Sequence, residues 1–177
     1  MVKNLKKIQL KISLWGHAYN DAYIFIIPLL LPFLRMEFSL TYFQSGLILT
    51  IHIALRSIFS LIFGFLGDRF NHKHLFISFG FALSSVLLGS LIWISNIPFI
   101  VSILLLMAIG VSTFHPLATA MVGEKAKPEK RGRDLSLFNA AGTFGVSIMS
   151  LLFGWIVQMW GWRMACLIIS LPGYLLA

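Results

Sequence analysis

The sequence predicts an all-α fold, a multi-pass transmembrane helical bundle, and three observations carry that prediction. Hydrophobic residues make up 58% of the 177 residues and charged residues only 11%, less than half the roughly 25% charged share of a soluble domain. The mean hydropathy is +0.88. The apolar residues gather into runs of about 20, long enough for a helix to cross a hydrocarbon core of about 30 Å. The bases cluster in alternate gaps between those runs. The net charge of +8 is therefore read as a topology signal rather than as a nucleic-acid footprint, since no basic stripe follows a face.

Residues 1–13 carry Lys3, Lys6, Lys7 and Lys11 and no acid, and read as a cytoplasmic tail. A basic start followed by an apolar run resembles a secretory leader, but residues 14–34 are too long for its apolar region, contain Asn20 and Asp21, and lack a small-x-small cleavage site. They are read as the first span. The following spans are expected at about 46–66, 75–95, 99–121 and 135–159. Asn96-Ile97-Pro98 breaks the chain between the third and fourth, and Trp160-Gly161-Trp162-Arg163 makes an outer turn with interfacial aromatic residues. Eleven of the 14 bases then fall inside, in the tail, after the second span and in the loop with Lys125, Lys127, Lys130, Arg131 and Arg133. Arg35 and Arg163 fall outside and Arg56 within the second span, so the amino terminus is assigned to the cytoplasm. Residues 164–177 reach about 21 Å as a helix, short of a full crossing. They are read as a sixth span cut short.

Gly64-Phe65-Leu66-Gly67-Asp68-Arg69-Phe70-Asn71-His72-Lys73 joins the second and third spans. Gly64 and Gly67 permit close helix approach, Asp68 can cap or pair near a helix end, and Arg69 and Lys73 hold the turn at the cytoplasmic surface. Asn71 can take the left-handed backbone that such a turn uses. This order resembles the signature loop of the major facilitator superfamily, Gly-x-Leu-(Ala/Gly)-Asp-Arg-x-Gly-Arg-(Arg/Lys), with Asn71 in place of the glycine and His72 in place of the arginine. The resemblance implies that these six helices are the amino-terminal half of a 12-helix facilitator. The site would lie between two halves, and the partners would be the lipid bilayer, a small-molecule substrate, protons, and a carboxyl-terminal half or a separately encoded equivalent. No cofactor, metal or nucleic acid is expected.

Polar residues inside the spans mark the candidate substrate and proton pathway. His17, Asn20 and Asp21 fall at i, i+3 and i+4, on one face of the first span. His115, in Phe114-His115-Pro116 of the fourth span, lies at a similar depth, and His52 and Arg56 share a face of the second. An intramembrane acid requires a partner. The expectation is an Asp21–Arg56 pair, with His17 and His115 as proton-titrating neighbours. His52 is expected to bond a neighbouring carbonyl, and Pro116 to kink its helix. Gly142, Gly145 and Gly154 read as small residues for close helix packing.

His17-x-x-Asn20-Asp21, Phe38-Ser39-Leu40-Thr41-x-x-Gln44-x-Gly46, Phe114-His115-Pro116 and Ser136-Leu137-Phe138-x-x-x-Gly142-x-x-Gly145 together are most similar to the branch that includes the fosmidomycin resistance protein. That resemblance, over residues 14–165, implies a proton-driven exporter of small compounds in the bacterial inner membrane. Leu106 stands where drug–proton antiporters usually carry an arginine, and Met149-Ser150 where they usually carry Gly-Pro. No nucleotide-binding glycine loop, His-Glu-x-x-His pair or nucleophile elbow is present, so no enzyme is expected. Two alternatives stand beside the transporter half: a non-transporting remnant of a disrupted gene, and a membrane sensor or accessory subunit.

Overall fold

Long apolar runs with few internal breakers leave the backbone one way to satisfy its polar groups in lipid, as helix, and helices are what the computed structural model contains. It describes residues 2–70 and 72–177, with side chains from Ser13 onward other than Lys125. The conformation expected of Asn71 and the side chains of Lys3, Lys6, Lys7, Lys11 and Lys125 lie outside the described residues. Among the described residues there is no strand. In order, α1 is Val2–Phe38, α2 Tyr42–Arg69, α3 Lys73–Ser90 with a 3-10 turn at Leu91–Trp93, α4 Ile97–Ser112, α5 Phe114–Lys125, then a 3-10 turn at Pro128–Lys130, and α6 Arg131–Tyr174.

The segments Tyr42–Arg69, Lys73–Trp93, Ile97–Glu124 and Pro128–Tyr174 are each long and apolar enough to cross a membrane. The helices overrun the apolar runs that predict them. Residues of the expected tail are already helical from Val2, and α2 begins four residues before Gly46 because Thr41 and Gln44 form a capping box. Polar termini extend a helix past its apolar stretch, so hydropathy marks the lipid-facing part and not the helix ends.

Two local breaks follow the sequence closely. Pro116 cannot donate to the carbonyl of the preceding turn, and the fourth span is divided at Thr113 into α4 and α5. Gly161, at φ 80° and ψ 165°, interrupts α6 within the expected Trp-Gly-Trp-Arg turn. That left-handed backbone favours glycine, and it splits α6 into arms 131–160 and 162–174.

Side-chain contacts give the directions. The first arm of α6 runs alongside α1 in the same sense, from His17 against Phe138 to Phe33 against Phe153. The second arm returns, from Trp162 beside Glu37 to Ser170, whose carbonyl accepts from Tyr23 at 3.1 Å. α2 runs parallel to α4 and α5, whereas α3 runs against them. Helix α1 is thereby the centre: Tyr23, Ile26, Ile27, Leu30 and Leu34 are fully buried, with α1 packed on α6, α5 and α4 and Tyr23 bonded to Ser85 of α3. Many of the other large apolar side chains face outward, Trp93 and Leu151 among them. An apolar exterior is expected where lipid is the solvent.

Candidate functional site

The i, i+4 spacing puts His17 and Asp21 one turn apart on the face of α1 that meets α5 and α6. The break at Thr113 starts α5 beside that face, and His115 is its second residue. Asp21 is flanked on both sides: His115 Nε2 lies 2.9 Å from its Oδ1, and His17 Nε2 lies 3.2 Å from its Oδ2. The three ligand atoms sit within 4.8 Å of one another, close enough to share a single small cation.

The geometry fixes where one proton must be. His17 Nδ1 lies 2.7 Å from the backbone carbonyl of Phe138, and a carbonyl only accepts, so Nδ1 carries hydrogen. In neutral His17 the other nitrogen would then present a lone pair to a carboxylate oxygen. That contact is favourable only when His17 is doubly protonated or the proton sits on Asp21. The cluster therefore holds one proton more than a neutral histidine beside an ionised acid.

Aromatic and small residues hold this arrangement in place. The Phe138 ring stacks on His17 with centroids 3.9 Å apart, and Phe114 lies 5.7 Å away on the α5 side. Gly142 leaves the room: a Cβ there would fall against Asp21 Oδ2 and 2.9 Å from His17 Nε2. His17 is 3% exposed, so its ring is out of reach of bulk water.

The expected Asp21–Arg56 pair does not form. Helix α2 packs chiefly on α4 and α5 and little on α1, so α5 stands between the two residues and its His115 takes the acid. Arg56 instead lines a cavity of about 420 Å³ with Ser57, Ser60, Val111, Ser112 and His115. His52 behaves as expected, with Nδ1 2.8 Å from the carbonyl of Leu104, while its buried Nε2 has no hydrogen-bond partner. Asn20 is 2% exposed and its amide nitrogen likewise lacks one.

At the end of the bundle near the signature loop, Gly64 packs against Pro116 and Gly67 against Leu117. Lys73 bridges to Glu124 of α5. Asp68 and Arg69 are exposed, and neither makes an ion pair among the described residues. At the other end, Glu37 accepts from Trp162 Nε1 at 2.8 Å and from Arg163 Nη1 at 3.0 Å. The Arg163 guanidinium holds the Glu37 carboxyl below the ordinary value of 4.5.

Sequence reasoning missed three of these partners. Phe138 contributes a backbone carbonyl, which no side-chain pattern announces. Glu124 was not assigned to Lys73, although they flank the same end of the bundle. Glu37 and Arg163 both lie just beyond span ends at one surface, a placement that could have paired them.

This arrangement, helices alternating in direction around a partly buried His-Asp-His cluster, defines a polytopic membrane protein with a polar centre. The family model of the Major Facilitator Superfamily matches residues 15–177, and the chain belongs to that family. It is 31% identical over 148 residues to the fosmidomycin resistance protein of Escherichia coli, covering 82% of this chain and 36% of that protein. It is 25% identical over 168 residues to the multi-drug resistance efflux pump PmrA of Streptococcus pneumoniae, covering 93% of this chain and 42% of the pump. Its fold is similar to that of a bacterial homologue of the human lysosomal transporter Spinster, solved inward-facing and unoccupied, with a TM-score of 0.82, 18% identity, and coverage of 97% of this chain and 41% of that one. The chain thus spans about two fifths of the length of these relatives.

Proposed function

We propose that this chain is the amino-terminal half of a major facilitator-type secondary transporter that moves a small molecule out of the cell, coupled to protons. It acts as a transporter rather than an enzyme, in the bacterial inner membrane with its amino terminus in the cytoplasm. The helices of this chain make one half, and the substrate passes between it and a carboxyl-terminal half. The names of the efflux pump and the resistance protein above support export. The coverage of about two fifths of their length supports a half.

One observation carries the coupling: His17, fixed by the Phe138 carbonyl, sets its second nitrogen 3.2 Å from Asp21. With the extra proton, α1, α5 and α6 are drawn together through His17, Asp21 and His115. Without it, two lone-pair-bearing atoms face each other beside the buried His17 ring, and the contact opposes the same packing. A proton that binds one arrangement better than another shifts the population between them, which is what coupling requires. Gly64, Gly67, Asp68, Arg69 and Lys73 act at the cytoplasmic gate.

The test is proton movement in proteoliposomes that hold this chain together with a carboxyl-terminal half, with an acidified lumen, followed by acridine orange on addition of fosmidomycin. Compound-driven proton release that is lost in Asp21→Asn is the expected result. Release that persists unchanged in Asp21→Asn, or transport without proton movement, would overturn the coupling.

A further inference from the structure

Arg56 is a permanent cation within a membrane-spanning helix, and such a charge is costly without a counter-ion. The chain has six acids, and none serves. Asp21 is held by His17 and His115, Glu37 by Arg163, Glu124 by Lys73 and Asp134 by Arg133. Asp68 lies twelve residues along α2, about 18 Å away at 1.5 Å per residue, and Glu129 sits in the exposed 3-10 turn after α5. Arg56 nevertheless faces a cavity, of about 420 Å³, within the size range of small-molecule sites.

The cavity wall reads as a receptor for an anion. The hydroxyls of Ser57 and Ser112 already donate to the carbonyls of Ile53 and Ile109, at 3.0 and 2.7 Å. They leave the directed donors to Arg56, Ser60 and His115. A guanidinium presents a planar fork that matches a carboxylate or phosphonate with two hydrogen bonds. Val111 and Leu61 supply an apolar flank.

We infer that Arg56 is the docking cation for an anionic small molecule bearing a carboxylate, phosphonate or phosphate group, with Ser60 and His115 as further donors. The inference deepens the transport reading by naming a substrate class. It also places that ligand next to the proton cluster, since His115 lines the cavity and touches Asp21. One imidazole then meets both the anion and the acid.

The experiment is cysteine protection. In the purified protein in lipid nanodiscs, Cys166→Ser removes the buried native thiol and Ser57→Cys places a reactive one in the cavity wall at a position whose hydroxyl is not among the directed donors. The rate of maleimide modification is measured with phenylphosphonate and with phenyltrimethylammonium, compounds of similar shape and opposite charge. Phenylphosphonate at about ten times its dissociation constant is expected to slow modification about tenfold, and phenyltrimethylammonium to leave it unchanged. Arg56→Gln should abolish the protection and Arg56→Lys, which keeps the charge, should retain part of it. Equal protection by both compounds, protection that survives Arg56→Gln, or no protection at all would overturn the assignment. In the last case the counter-ion of Arg56 is an acid outside these 177 residues. Labelling needs neither a proton gradient nor net transport, so failure here and failure of the coupling are separable.

Discussion

His17 donates through Nδ1 to the carbonyl of Phe138 at 2.7 Å while its Nε2 faces Asp21 at 3.2 Å. The first contact determines the meaning of the second, because a ring nitrogen committed to a carbonyl leaves its partner nitrogen as the place where a proton is gained or lost.

Asp21→Asn keeps the shape of the side chain and removes its charge. An amide can still donate to one histidine and accept from the other, so folding stability should change by no more than about 1 kcal/mol. Proton movement should fall to background. Thermal unfolding in detergent and vesicle acidification together check the pair of outcomes.

Gly142→Ala is expected to be costly where Gly154→Ala is not. The added methyl at 142 meets Asp21 and His17, whereas nothing lies within 4 Å of a Cβ at 154. Overpacking of this kind costs about 1–3 kcal/mol, while the second substitution should stay within about 1 kcal/mol. Gly145→Ala, which would drive into the Ala18 backbone, should resemble Gly142→Ala in stability. Thermal unfolding of the three variants side by side orders them.

Helices α1 and α6 are clasped at the end away from the signature loop by Glu37, Trp162 and Arg163. Because the folded carboxyl titrates below its ordinary 4.5, its contribution is present above that value and is lost as pH falls through the depressed one. Glu37 is 38% exposed, so solvent screening limits the effect to about 0.5 kcal/mol. Unfolding of wild type and Arg163→Gln, followed from pH 7 down to about pH 3, should differ at the neutral end and converge at the acid end.

Cys166 lies in the second arm of α6, 0% exposed. Maleimide should leave it unmodified in the folded protein and modify it fully after denaturation, as mass spectrometry would show. Modification without denaturation would mean that the second arm packs less tightly than described.

Much of the fold was legible because lipid imposes one rule, runs of about 20 apolar residues, and the breakers were readable: Asn96 before Pro98 and Gly161 stood between runs, and Pro116 stood inside the fourth. The helix termini were not legible, since caps such as Thr41 with Gln44 extend helices beyond the hydropathy signal. In the site, the i, i+4 spacing of His17 and Asp21 and the similar depth of His115 placed the three residues together. The choice between Arg56 and His115 as the partner of Asp21 was not available from depth alone. It depends on which helix lies next to α1, a tertiary fact, and α5 holds that position.

Coupling through this cluster depends on the hydrogen positions at His17, and ¹⁵N solid-state NMR of histidine-labelled protein in bilayers reads them directly. Hydrogen on Nδ1, together with either a second proton on Nε2 or a strong hydrogen bond to Nε2 that disappears in Asp21→Asn, is the result predicted. A neutral His17 protonated only at Nε2, with a bare Nδ1 against the Phe138 carbonyl and no response to Asp21→Asn, would contradict it.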